Sequence, residues 1–248
     1  MVSRKLNFCF LSGNALKIIA ALSMLTDHVG HLLLPEFKIL RIIGRIAFPI
    51  FAFMIAEGCN YTKNRLRYFL TVFSLAVVCQ TSYYIFDGSL DMGILVTFSL
   101  SILVIYALQN VKAALYSSMY SFVKRFLAFS VFILTVAAVY ILNEYLVIDY
   151  GFWGSMVPAF ANLFRQTDTD ISARLKKPDC ITVHVLMLGV GLIVLSASLG
   201  GIQYYSLFAI PLLLLYSGER GKWKMKSFFY IFYPAHLVVL QCIYMMTD

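Results

Sequence analysis

The stretch ALKIIAALSMLTDHVGHLLL, residues 15–34, is long enough to cross a bilayer yet carries Lys17, Asp27, His28 and His31. About 20 apolar residues span a hydrocarbon core, and a charged side chain near its centre costs roughly 2.5 to 3.5 kcal/mol on insertion scales. Such residues face a protein interior or a wet cavity, so the segment reads as a transmembrane helix and as a candidate site at once. At about 100° per residue, Lys17 and His28 fall within roughly 20° of each other on one helical face. Asn14 lies to one side of them, His31 and Asp27 to the other. Along the axis, Lys17 and His28 stand about 16 Å apart.

The rest of the chain repeats the apolar theme. Of its 248 residues, 61% are hydrophobic and only 13% charged, too few charges to cover an aqueous surface. Windows of about 20 apolar residues place spans at Ala15–Leu34, Ile39–Gly58, Tyr68–Phe86, Met92–Gln109, Arg125–Val147, Tyr150–Phe164, Ile181–Leu199, Ile202–Ser217 and Ser227–Met246. The expected class is all-α: a polytopic helical bundle of about nine transmembrane helices, within a range of eight to ten, forming one membrane domain over residues 1–248. The sixth and eighth spans are short, which suits a re-entrant, tilted or fully protein-packed segment. The stretch Ala113–Phe122 reads as a helix resting on the membrane surface.

Sixteen of the twenty Lys and Arg fall in five segments, in alternate loops of this nine-span layout. They are Arg4 and Lys5; Lys63, Arg65 and Arg67; Lys112, Lys124 and Arg125; Arg165, Arg174, Lys176 and Lys177; and Arg220, Lys222, Lys224 and Lys226. Loops rich in Lys and Arg stay cytoplasmic, so the N-terminus is expected inside, with Asp87, Asp91 and Asp149 on the opposite side. The net charge of +8 then reflects insertion topology and anionic lipid headgroups, not nucleic acid. Cys9, Cys59, Cys79, Cys180 and Cys242 have no metal-ligand spacing and read as inert thiols, and no metal site is expected. The first span reads as an uncleaved anchor, and no internal repeat is present.

Within the first span, Asp27 can reach His31 at the i+4 spacing and fix its tautomer, leaving His28 as the freer imidazole and a candidate general base. Hydrogen-bonded core histidines are the competing reading. In the second span, Arg41 suits snorkelling to the outer interface, whereas Arg45, a turn deeper, suits an inward role beside Asp27 or a ligand. Pro49 is expected to kink that helix, and Glu57 to pair with Lys63 or Arg65 near its cytoplasmic end.

The Asp27–His28 pair within LTDHVGHLL, the segment GRIAFPIFAF from Gly44 to Phe53 and FFYIFYPAHL from Phe228 to Leu237 together resemble the TraX proteins, membrane acetylases associated with pilin modification in conjugation systems. Lys17, ten residues and His28 are also distantly similar to the Arg/Lys-x10-His motif of the acyltransferase-3 proteins. The resemblance implies acetyl-CoA as co-substrate, His28 as the catalytic histidine with Asp27 beside it, and Lys17 as its basic partner. It also implies His236 in the last span, lining one cavity with His28. On that reading Lys63 and Arg65 hold the nucleotide phosphates, and Arg45 or His236 stabilises the oxyanion. The acceptor is an amine or hydroxyl of a pilin-like peptide, a lipid or a glycan, and the location a bacterial inner membrane. A proton-coupled secondary transporter relaying through Asp27, His28, His31 and Glu144 is the main alternative, and a structural subunit a third. Glu144 and His184 are left without a role.

Overall fold

The computed structural model describes residues 9–88, 90–116, 120–165, 180–223 and 225–247. Arg4, Lys5, Arg174, Lys176, Lys177 and Lys224, counted above among the basic loops, lie outside the described residues. Ten α-helices and one 3₁₀ segment account for nearly all of the described chain: α1 Gly13–Leu32, α2 Lys38–Gly44, α3 Ala47–Tyr61, α4 Arg65–Asp87, α5 Ile94–Tyr116, α6 Phe122–Tyr145, α7 Gly151–Asn162, α8 Ile181–Leu199, the 3₁₀ helix Gly201–Phe208, α9 Ala209–Leu214 and α10 Lys226–Thr247. Among the described residues there is no β-strand, and the fold is all-helical. Among the described residues, six stretches are long and apolar enough to cross a membrane: Lys38–Tyr61, Arg65–Ile85, Ile94–Leu115, Phe122–Tyr145, Ile181–Leu199 and Phe228–Met246. α1 has the length but not the mean hydropathy, because Lys17, Asp27, His28 and His31 lie within it.

The N-terminus of α1 is anchored from a distance. Ser12 caps it by accepting from the Ala15 N–H, and the Gly13 and Asn14 N–H groups donate to the carbonyls of Glu219 and Arg220 at 2.8 and 3.0 Å. The first amides of a helix lack partners within it, so the loop between α9 and α10 serves as its cap. Asn14 adds a side-chain bond to the Trp223 carbonyl at 2.7 Å.

The second span is interrupted. α2 ends at Gly44, and Arg45 and Ile46 close only short bonds back to Ile42 and Ile43 before α3 begins at Ala47. Pro49 sits in the first turn of α3, where its missing N–H costs nothing, so the break falls at Arg45 and not at the expected proline kink. α5 runs on to Tyr116, so Ala113–Tyr116 belongs to a long helix and not to the separate surface helix expected there.

The two short spans resolve differently. α7 is enclosed: Gly154 through Ala159, Ala161 and Asn162 are all buried, as its small residues allow. The eighth stretch begins as a 3₁₀ helix after Gly200 and becomes the six-residue α9. By contrast α6 has only Val139 buried and turns Phe126, Ile133, Leu134 and Tyr140 outward, the surface expected of a helix facing lipid.

α1 and α2 form a tight hairpin at two glycines. A Cβ on Gly30 would press on the Leu40 Cβ at 2.6 Å, and one on Gly44 would overlap the Asp27 side chain. Small residues at a membrane helix crossing let backbones approach closely. Gly44→Ala is therefore expected to spread the hairpin and cost about 1–3 kcal/mol, seen as a lower thermal midpoint in detergent. An unchanged midpoint would mean the helices do not pack this closely.

Candidate functional site

Interruption of the helix at Arg45 turns its guanidinium back toward α1. Arg45 Nη2 donates to Asp27 Oδ1 and Oδ2 at 2.6 and 2.8 Å, and Arg41 Nη1 donates to Oδ2 at 2.9 Å. Arg45 Nε reaches the Arg41 carbonyl at 3.4 Å, and Nη1 lies 3.5 Å from both Tyr150 Oη and Gln203 Oε1. Every nitrogen of Arg45 is thus engaged. Two expectations are corrected here. Asp27 bonds to the two arginines and not to His31, because a forked guanidinium offers a carboxylate more than an imidazole can. Arg41 does not snorkel away; it is the second partner of Asp27.

His28, one residue on, faces α10. Its Nδ1 lies 3.1 Å from His236 Nε2, and the ring centroids are 5.1 Å apart. His236 Nδ1 in turn lies 2.9 Å from the Phe232 carbonyl, one turn back along α10. The His236 ring is stacked on Phe232 and edge-on to Tyr233, and is buried. The two histidines therefore meet although 208 positions separate them.

Two cavities flank this region end to end. The larger, about 780 Å³, is lined by Asp27, His28, His31, Arg45, Asp149 and Gln203 among others. The smaller, about 610 Å³, is lined by Asn14, Lys17, Glu57, Tyr61, Tyr68 and Arg220 with many apolar side chains. Met24, Phe51, Ile94 and Tyr233 belong to both walls, so the cavities abut at a mostly apolar septum. His236 is not in the wall of either; it stands behind His28, which corrects the expectation that both histidines line one space.

The other expected site residues divide. Lys17 is in the smaller cavity. Arg45 is in the larger, with His28, and takes the inward place beside Asp27 expected of it. Lys63 and Arg65 are exposed and outside both walls, with Arg65 donating to Asn110 Oδ1 at 2.9 Å and lying over the Tyr106 ring. Glu57 is buried and pairs with Arg165, not with Lys63 or Arg65; Arg165 also covers the Tyr61 ring. Lys112, read as a loop cation, is buried and donates to the carbonyls of Asn162 and Arg165, closing the end of α7.

Three contributors escaped the sequence reading. Tyr150, at φ 62°, is in a left-handed conformation unusual for a residue with a side chain, and it stacks on Phe48 with centroids 4.1 Å apart. Gln203 is buried against Arg45, and Arg220 joins Lys17 in the smaller cavity. A tyrosine before a glycine at the mouth of a span is a signal available for the first; nothing local marks Gln203, and Arg220 is marked only as part of a basic loop. In the turn ahead of α7, burial raises the Asp149 carboxyl above its ordinary value, against the lowering pull of Arg45. All five cysteines are free thiols, and among the described residues no three His, Cys, Asp or Glu side chains converge as a metal would require.

The sequence profile described as TraX protein matches residues 12–244, which include every residue lining either cavity. The chain belongs to the TraX family. An uncharacterized protein of Rickettsia prowazekii (strain Madrid E) is 36% identical over 96 residues, 38% of this chain and 37% of that relative. The "Probable fimbrial assembly protein FimC, serogroup H1" of Dichelobacter nodosus is 30% identical over 86 residues, 33% of this chain and 34% of the relative. These matches span little more than a third of each relative's length. No solved structure matches the chain.

Asp27 pairs with two guanidinium groups that are themselves mostly buried, so the cluster keeps one net positive charge. Removing one member of such a cluster leaves uncompensated charge. Asp27→Asn is expected to cost about 3 kcal/mol of stability in detergent unfolding, and adding Arg45→Gln to recover part of that loss. Equal stability of Asp27→Asn and the native protein would show the cluster to be solvated.

Proposed function

We propose that the protein is an integral-membrane acetyltransferase that moves an acetyl group from cytoplasmic acetyl-CoA to an amine or hydroxyl of a membrane or extracytoplasmic acceptor. The observation that carries the reading is the pair of abutting cavities: one with Lys17 and Arg220 in its wall, the other with an imidazole in its wall backed by a second imidazole. Acetyl-CoA is polyanionic and does not cross a bilayer, whereas its pantetheine arm is slender and largely uncharged. A cation-lined, mostly apolar cavity that ends at a shared wall of movable side chains, with a second chamber beyond it, suits a donor that stops at one face and extends its thioester inward.

The reading takes the chain as an N-inside bundle of nine traversals in a bacterial inner membrane, and the polar ends favour that orientation. Lys17, Lys112, Arg165 and Arg220 lie toward one end, and Asp91 and Asp149 toward the other. On that reading the short α7 and the 3₁₀–α9 unit, which each lead from the Tyr150 or Gln203 end toward the Glu57 or Gly218 end, are the sixth and eighth traversals.

In the reaction, the acceptor nitrogen or oxygen attacks the thioester carbonyl carbon while His28 takes its proton. The tetrahedral oxyanion then collapses, the C–S bond breaks, and the CoA thiolate recovers the proton from the His28 imidazolium. Products are CoA thiol and the acetylated acceptor. Lys17 and Arg220 attract the phosphates, with the exposed Lys63 and Arg65 adding field at the same face. Asp27 acts by holding Arg41 and Arg45, not by touching either histidine. TraX membership and a relative named for fimbrial assembly favour a pilin-like peptide as acceptor over a lipid or glycan. A proton relay through Asp27 and His31 is less well supported, since Asp27 is committed to two arginines.

With [14C]acetyl-CoA supplied to inside-out vesicles, label is expected in the membrane fraction and lost with His28→Ala at unchanged expression. Lys17→Ala or Arg220→Ala is expected to raise the KM for acetyl-CoA about tenfold each, with kcat little changed. Undiminished labelling by His28→Ala would refute the assignment.

A further inference from the structure

The contact between His28 and His236 carries a proton assignment. A carbonyl oxygen only accepts, so the 2.9 Å contact to Phe232 requires His236 Nδ1 to bear hydrogen. If His236 is neutral, its Nε2 then has a lone pair and no hydrogen. The 3.1 Å contact between His236 Nε2 and His28 Nδ1 is a hydrogen bond only if His28 Nδ1 is the donor. A neutral His28 with hydrogen on Nδ1 keeps the lone pair on Nε2.

The alternative is a doubly protonated His236, donating at both nitrogens. That would bury an imidazolium between Phe232 and Tyr233, and among the described residues no carboxylate pairs with it. Asp27, the nearest acid in sequence to His28, is held by Arg41 and Arg45. An unpaired buried charge is the costlier state by a wide margin.

We infer that the Phe232 carbonyl and His236 lock His28 in its Nδ1–H tautomer, so that Nε2 is the nitrogen presented to the larger cavity as the proton acceptor. Free histidine in water prefers the opposite tautomer, with hydrogen on Nε2, and in that form the cavity-facing nitrogen could not act as a base. His236 is thus a positioning residue. It fits this role by lying behind His28, outside the cavity wall, and by having its own ring fixed between two aromatic side chains. The logic parallels an acid that orients a catalytic histidine, with a neutral imidazole and a backbone carbonyl in place of the carboxylate.

The tautomer stands on geometry; its catalytic consequence rests on the acetyltransferase reading. Full-length protein labelled with [15N]histidine contains four such residues, and the His28 signals are those missing from His28→Ala. In the native protein, Nδ1 of His28 is expected to resonate as a protonated nitrogen and Nε2 as an unprotonated one. In His236→Leu the two should exchange character, and acetyl transfer from [14C]acetyl-CoA should fall on the order of 10²- to 10⁴-fold in kcat, with KM for acetyl-CoA within about twofold. His236→Gln, which keeps an acceptor oxygen near the Nε2 position, should retain the native tautomer and most of the rate. Hydrogen on Nε2 of His28 in the native protein overturns the inference whatever the activity, as does an unchanged His28 tautomer in His236→Leu. The expected tautomer in a protein that transfers no acetyl group supports the lock and rejects the acetyltransferase reading alone.

Discussion

A carboxylate placed two-thirds of the way along an apolar helix must be neutralised where it stands, and most of the architecture near the site follows from how Asp27 meets that demand. One arginine would balance the charge; the chain uses two, both from the next helix, in a geometry that leaves none of Arg45's nitrogens idle. For Arg41 and Arg45 to reach the same carboxylate, α2 must lie directly against α1, which is why Gly30 and Gly44 sit at the crossing. For Arg45 to turn inward, the helix must stop, which it does one residue after Gly44. The ion cluster, the glycines and the helix break are one solution to one electrostatic problem.

That solution also determines what the histidines can do. With Asp27 committed to cations, neither His28 nor His31 pairs with a carboxylate among the described residues. His28 turns to α10, whose Pro234 and aromatic ladder set His236 at bonding distance. The same hairpin divides the interior, since Met24 on α1 and Phe51 on α3 contribute to the septum between the cavities. The polar stripe seen along α1 is therefore not one continuous wet path. Lys17 serves one chamber and His28 another, and the apolar residues between them make the separation.

Helical class, membrane character and the importance of the first span were legible in the sequence because apolar length and intramembrane charge are local properties. The Lys17–His28 axis was legible for the same reason, as helix periodicity fixes direction within one element. Partner choice was not. Periodicity offered Asp27 only His31, four residues on, whereas the arginines that claim it arrive through a hairpin closed by two glycines. For Arg41, snorkelling is the default of a cation near a span end, and only a carboxylate on the neighbouring helix overrides it. Glu57 was assigned to nearby loop cations, but its partner Arg165 comes in from the end of α7, a helix whose depth in the bundle no hydropathy window reveals. Lys112 had the composition of a loop charge and the location of a helix cap. Each error has the same origin: the sequence gives the charge, and the tertiary contact decides its counterpart.

A pair of neutral imidazoles backed by a carbonyl is well suited to this setting. An aqueous enzyme can place a carboxylate behind its base because water and surrounding dipoles help to carry the charge. Inside a bilayer, a second acid near His28 would compete with Asp27 for Arg41 and Arg45 or become protonated. A neutral relay orients the base while adding no net charge to the low-dielectric interior. On the proposed acetyltransferase reading, its charge separation is confined to the transition state, when His28 becomes an imidazolium beside a developing oxyanion. The positive ring then has His236 Nε2 as a hydrogen-bond acceptor on one side and the reacting anion on the other, so the fields that stabilise it are those created by the reaction.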